Sequence, residues 1–257
     1  MDQMKVLLVL CDGLRPDCIR DHPAITFLRE RGSWCMDART VFPPVTLPCH
    51  MSLFHSVDPG RHGITTNVYV PQVRPVPGLF EGLAERGLRC AMYYNWAELR
   101  DLARPGSLAR SQYISDSVYG SEAATRETFA RAMAELRGGE MDFAFLYLGW
   151  TDGAGHASGW ESPAYLRAVR ECCNMVGELV EALSGKYTIF LTSDHGGHDR
   201  THGLDIPEDM TIPIFCLGPD FPAGREMPGL TILDVAPTIA RLLGAEIPRE
   251  WEGRSLC

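Results

Sequence analysis

No stretch of this chain is apolar for long enough to cross a bilayer. The only early run, Val6 to Leu10, is a fraction of the about 20 residues a membrane helix requires, and it stops at Asp12 without a small-residue cleavage pattern. It reads as a first core strand. No CxxC pair occurs among the nine cysteines, an odd number that includes adjacent Cys172 and Cys173. That spacing argues against a secreted disulfide framework or a structural zinc knot, and a reducing cytoplasmic setting is the expectation. Positive charge is short as well. A formal net charge of −9 disfavours nucleic acid polymers and anionic membranes as partners, because both select basic surfaces. Internal repeats, low-complexity tracts and linkers are lacking, which leaves one domain over residues 1–257 as the simplest organisation.

What is present is an ordinary globular composition, 45% hydrophobic and 22% charged, sufficient for a sizeable core. Strand-like runs cover Lys5–Leu10, Trp34–Thr40, Leu88–Tyr94, Phe143–Leu148, Tyr187–Leu191 and Ile212–Leu217. Between them lie helical patterns over Pro23–Arg31, Pro77–Arg86, Glu122–Leu136, Pro163–Leu183 and Leu233–Leu243, the first two closed by Gly32 and Gly87. Near-continuous apolar strands imply burial on both faces. The expected fold is therefore α/β, a three-layer αβα sandwich with a mostly parallel central sheet. Val70–Pro77 and Arg104–Tyr119 read as the long loops and as candidate pocket walls.

Polar residues cluster where these strands end, which is where an α/β fold gathers its chemistry. Asp12-Gly13 follows the first strand; alone, such a pair is more often a turn. Thr46, in Val41-Phe-Pro-Pro-Val-Thr46-Leu-Pro48, lies at a helix start with proline in the first turn. It is either an N-cap or a hydroxyl set beside unpaired N–H groups that attract an alkoxide or a phosphate. Asp152 and His156 are four apart in a glycine-rich strand exit; they converge on one ion if the glycines permit a tight turn or a first helical turn. The segment Asp194-His195-Gly-Gly-His198-Asp-Arg-Thr-His202 is the most specific. Three histidines and an acid after a buried strand are hard to explain as packing, since buried His and Asp require partners, and a solvated polar loop is the alternative. Three carboxylates, three neutral imidazoles and one hydroxyl suit two divalent ions better than one, with open positions for substrate and water. Two dications outweigh three carboxylates, so such a site attracts an anion into an acidic protein. Zinc fits this donor set, and manganese does too.

These four segments, in this order, resemble the alkaline phosphatase superfamily, and within it the nucleotide pyrophosphatase/phosphodiesterase branch. The likeness runs from Asp12-Gly-Leu-Arg-Pro-Asp17 to the closing Ile232-Leu-Asp-Val-Ala-Pro-Thr-Ile-Ala-Arg-Leu-Leu-Gly244. It implies an alkaline phosphatase-like catalytic domain in which Asp12, Thr46, Asp194 and His195 hold one zinc and Asp152, His156 and His202 the other. Asn67 and the backbone N–H of Leu47 fall where the branch places donors to a phosphate oxygen. The implied activity is hydrolysis of a small-molecule phosphodiester through a phosphothreonine intermediate. A phosphomonoesterase, a phosphonate hydrolase or a phosphomutase on the same residues are the alternatives, together with a non-catalytic metal-binding relative, which the intact Thr46 disfavours. The chain departs from the branch in carrying Cys49 where asparagine is usual, and in lacking room for large specificity insertions. It has no Cys-x-Pro-x-Arg segment, which speaks against the sulfatase branch. His198 and Arg200 read as solvated loop residues. Tyr69, Trp96, Trp150 and Trp160 are candidates for an apolar slot, with core packing expected for at least half of them.

Overall fold

The computed structural model describes residues 4–104 and 106–257. Its strands are β1 (Val6–Cys11), β2 (Ser33–Arg39), β3 (Cys90–Tyr94), β4 (Arg110–Tyr113), β5 (Phe143–Leu148), β6 (Thr188–Thr192), β7 (Thr211–Leu217) and β8 (Arg225–Glu226). They join in one eight-stranded sheet of order β4-β3-β5-β1-β6-β7-β2-β8. β1 pairs in parallel with β5 and with β6, while β7 is antiparallel to both β6 and β2. The sheet is thus mostly parallel.

All six residues of β1 are buried, and they alternate between two separate cores. Val6, Leu8 and Leu10 face one, Leu7, Val9 and Cys11 the other. Against the first face pack α2 (Thr46–His55), α4 (Leu79–Glu85) and α10 (Val235–Leu242); against the second pack α1 (Pro23–Arg31), α6 (Ser121–Leu136) and α8 (Pro163–Leu183). This is the three-layer sandwich that doubly buried strands require. α8 shows how sequence builds a layer. Its Ser162 cap accepts the Tyr165 N–H, and a stripe of Tyr165, Ala168, Val169, Cys172, Val176, Leu179, Val180 and Leu183 lies buried at helical spacing. Truncating fully buried Leu179 to alanine would cost about 2–5 kcal/mol.

The remaining helices are short: α3 (Pro59–His62), α5 (Asp116–Tyr119), α7 (Trp150–Ser158) and α9 (Pro207–Met210). Most expected elements lie within two residues of their anticipated ends. Arg104–Tyr119 is the exception, because the span holds edge strand β4 and helix α5 rather than one loop; Pro105 within it lies outside the described residues. Arg-Ser-Gln-Tyr carries no apolar alternation and stays largely exposed, so an edge strand there leaves no burial signature in sequence. Val70–Pro77 carries neither helix nor strand, as expected. Among the described residues no helix is long and apolar enough to cross a membrane.

Candidate metal centre

Three adjacent parallel strands deliver the polar residues to one edge of the sheet. Asp12 directly follows β1, Asp194 and His195 follow β6, and α7, which carries Asp152 and His156, starts two residues after β5. Thr46 arrives on α2. The N-cap of that helix is Val45, with no side-chain cap bond, and Thr46 is its first helical residue. The capping alternative for Thr46 therefore fails, and its hydroxyl is free to point elsewhere. Thr46 Oγ1 lies 3.2 Å from His195 Nε2.

His195 Nδ1–H donates to the Gly196 carbonyl at 2.8 Å, which assigns the lone pair to Nε2. That nitrogen faces Asp194 Oδ2 at 3.3 Å and Asp12 Oδ1 at 3.4 Å. His156 and His202 repeat the pattern, with Nδ1–H donating to the carbonyls of Arg200 at 3.0 Å and Pro44 at 2.8 Å. Their Nε2 atoms stand 3.4 and 3.7 Å from Asp152 Oδ1. The His202 ring stacks on that of His195 with centroids 3.8 Å apart. Donor atoms of Asp152, His156 and His202 lie within 4.8 Å of one another, as do those of Asp12, Asp152 and His195. The two groups adjoin through Asp152.

Three buried carboxylate oxygens, Asp12 Oδ1, Asp152 Oδ1 and Asp194 Oδ2, have no hydrogen-bond donor. Acceptors that converge on acceptors are repulsive unless a cation sits among them. Imidazoles that give Nδ1–H to a carbonyl and turn Nε2 inward have the usual posture of metal ligands. On this chemistry the residues fit divalent ions. Burial, followed by the Asp194 charge, raises the Asp12 carboxyl well above the carboxylate range. Burial and then Asp12 push Asp152 to about 7, and burial and then Asp152 push Asp194 to about 8. Burial, with His195 next, holds His202 far below the ordinary imidazole value. Without added positive charge the centre resists being fully ionised.

Asn67 and Leu47 also meet, but on each other: the Leu47 N–H donates to Asn67 Oδ1 at 3.0 Å. A phosphate oxygen at the start of α2 would take that N–H in place of the amide. His198 turns away, bonded through Nδ1 to Asp209 Oδ1 at 2.7 Å. Asp209 Oδ2 accepts the N–H groups of Gly203 and Leu204, so the pair braces the loop that carries His202. Arg15 is held by Asp17 at 2.6 Å and Glu161 at 3.7 Å. Of the four aromatic candidates, Trp150 and Trp160 are buried and are not slot residues. Trp150 lies between the guanidinium groups of Arg126 and Arg167, at 4.9 and 5.0 Å. Tyr69 and Trp96 are partly exposed and line cavities of about 240 and 340 Å³.

Four supporting residues escaped the sequence reading. The Tyr147 hydroxyl donates to Asp12 Oδ2, and the Thr151 hydroxyl to the Asp12 carbonyl. Ser193 Oγ accepts the Leu14 N–H at 2.9 Å and donates to the His195 carbonyl at 2.7 Å. His50, fully buried, donates from Nδ1 to the Thr46 carbonyl at 2.8 Å, and the same nitrogen lies 3.5 Å from Asp194 Oδ2. Its position one turn after Thr46 was the available signal. Tyr147 and Thr151 carried none, being indistinguishable from core and helix positions. Cys49, in place of the usual asparagine, is buried and accepts from Thr40 Oγ1 at 3.3 Å, which ties α2 to the segment leading into it.

Residues 6–207 match the family described as type I phosphodiesterase / nucleotide pyrophosphatase, a span that contains all seven centre residues. Rat ectonucleotide pyrophosphatase/phosphodiesterase family member 1 is 27% identical over 213 residues, 74% of this chain and 24% of the relative. The human GPI ethanolamine phosphate transferase 2 catalytic subunit is 26% identical over 279 residues, covering 98% of this chain and 27% of its own length. The chain thus spans about a quarter of the length of these curated relatives. In fold it is similar to murine ectonucleotide pyrophosphatase/phosphodiesterase 5, solved as an inactive variant in complex with AMP, with a TM-score of 0.79, 15% identity and 96% of both chains covered. By the extent of the family match, and with a fold of the same kind, the chain belongs to the type I phosphodiesterase/nucleotide pyrophosphatase family of the alkaline phosphatase superfamily.

Proposed function

We propose that this protein hydrolyses phosphodiester bonds in small phosphate esters, with Thr46 as nucleophile and two divalent ions, zinc by first choice, as cofactors. Asp12, Asp194, His195 and the Thr46 hydroxyl would hold one ion, and Asp152, His156 and His202 the other. Bound ions would supply the positive charge that lowers the pKa of a hydroxyl and neutralises oxygens as P–O bonds change. The observation that carries the proposal is the placement of Thr46 Oγ1. It sits in the first turn of α2, 3.2 Å from His195 Nε2 and beside carboxylate oxygens that lack donors.

Thr46 Oγ loses its proton to solvent and attacks phosphorus in line; the new O–P bond forms as the bond to the departing ester oxygen breaks. Water then attacks the threonine ester and releases the monoester, returning Thr46. The Leu47 N–H and the Asn67 amide bind the non-bridging oxygens as their charge grows. A diester is favoured over a monoester because it carries less negative charge for the site to neutralise, and the guanidinium of Arg15, three residues after Asp12, is engaged by Asp17 and Glu161. Pyrophosphatase and phosphodiesterase in the rat relative's name, and AMP in the murine structure, make small nucleotide esters the first compounds to assay.

The test is Thr46→Ala assayed on an aryl phosphodiester with metal content measured in parallel. Turnover is expected to fall by at least roughly a thousand-fold while the second ion, held by other residues, stays bound. Undiminished turnover with both ions in place would rule out the covalent route.

A further inference from the structure

Two segments of the centre contain glycines that backbone conformation does not explain. Gly155 and Gly197 lie outside the positive-φ glycines, so an L side chain is conformationally acceptable at both. Space is what forbids it. An alanine Cβ at Gly155 would stand 2.7 Å from the Trp160 indole, one at Gly197 2.2 Å, and one at Gly13 3.2 Å. Three segments, after β1, within α7 and after β6, the first of them more than a hundred residues from the other two in sequence, therefore close on one ring. Trp160 is buried, gives its Nε1–H to the Gly13 carbonyl at 3.0 Å, and gives its backbone N–H to the Asp199 carbonyl at 2.7 Å. Its face and edge meet His156 at 5.2 Å and His202 at 6.0 Å between centroids, both near perpendicular. No centroid contact joins the indole to His195.

From this arrangement we infer that Trp160 is the positioning residue for the second metal site: it fixes the rings of His156 and His202 so that their Nε2 atoms converge, and thereby sets that site's affinity for a divalent ion. The inference rests on the two-ion reading above. An imidazole ligand is oriented by its Nδ1 bond at one edge and by packing over its face. The carbonyls of Arg200 and Pro44 supply the first constraint; the indole supplies the second for His156 and, together with the stacked His195 ring, for His202. Free rotation of either ring about its Nδ1 bond would swing Nε2 away from Asp152. Gly155 and Gly197 are then clearance for the indole rather than hinges, while Gly153 and Gly196 clear Ser121 and the Glu208 carbonyl.

Equilibrium dialysis of the purified protein with zinc alone, and with manganese alone, tests the proposal. Trp160→Phe is expected to weaken the second ion about 10- to 100-fold, the range found for residues that orient metal ligands, with the first ion unchanged; Trp160→Ala is expected to weaken it further. Gly197→Ala should produce the same selective loss, and adding it to Trp160→Phe should weaken binding no further, because the smaller ring leaves room for the methyl. Trp251→Phe, at a buried indole bonded to Pro77, serves as the control for general core damage and should bind both ions as the wild type does. Wild-type binding of both ions by Trp160→Phe overturns the proposal, as does equal weakening of the two ions. If Trp160→Ala fails to fold, Trp160→Phe decides alone. Wild-type protein that takes up only one ion would contradict the two-ion reading itself, a result distinct from two ions bound alike by wild type and variant.

Discussion

The Asp12, Asp194 and His195 side chains are no more than 1% exposed, whereas His156 is 45% and Asp152 19% exposed. The inner group rises from the ends of neighbouring strands, and each inner carboxylate has a donor behind it: Tyr147 for Asp12, the Gly13 N–H for Asp194 at 3.2 Å. The outer group stands on α7 and on a loop, steadied by an indole and by two carbonyls. Half of the centre is thus part of the sheet, and half is packed against it. An ion held in the inner position would be screened from solvent, whereas one in the outer position would be open to exchange. Thr46, the proposed nucleophile, belongs to the inner half, as it must if its alkoxide form is to be stabilised away from water.

The contrast is broken most severely by Asp194→Asn. That change removes a carboxylate from the inner group, and the expected results are loss of the inner ion and a rate deficit of roughly a thousand-fold, the worth of several kcal/mol of metal charge. Retained two-ion stoichiometry would refute its assignment. His202→Ala should strip the outer ion while the inner one stays, a smaller defect that elemental analysis distinguishes from the first. Tyr147→Phe leaves Asp12 in place but without its donor, so inner-ion affinity should drop about 10- to 100-fold; an unchanged affinity would show that the bond to Asp12 is incidental. The mildest effect concerns pH. Asp152 and Asp194 are raised to about 7 and about 8 in the metal-free fold, so between about pH 7 and 8, where unfolded imidazoles such as that of His202 are already largely neutral, the folded state holds protons that the unfolded chain has released. Stability of metal-free protein should therefore fall as pH rises through this window, by a few degrees in Tm. Excess zinc should reverse the trend, since ionised carboxylates are what bind it. A metal-free Tm that climbs from pH 7 to 8 would contradict the burial argument.

Much of this was legible in the sequence because strand ends announce themselves. Asp12, Asp152, Asp194 and His195 each follow an apolar run within a few residues, and polar residues there have few structural reasons to exist, so their meeting could be foreseen. The three layers were readable from strands apolar on both faces. What stayed hidden has equally physical causes. Edge strand β4 buries nothing, so its Arg-Ser-Gln-Tyr looks like loop. Tyr147 occupies a position in β5 that any core aromatic would fill, and only three dimensions show its hydroxyl against Asp12. Gly155 and Gly197 read as flexibility until Trp160 is seen filling the space above them. Asn67 meets Leu47 at the start of α2, and that bond depends on a side-chain rotation that no pattern encodes.

The stereochemical course at phosphorus examines Thr46 most directly. Hydrolysis of a chiral phosphorothioate diester in isotopically labelled water by the metal-loaded enzyme should proceed with retention, because attack by the threonine oxygen and attack by water each invert once. Inversion would mean that water strikes the substrate directly, and Thr46 would no longer be the nucleophile.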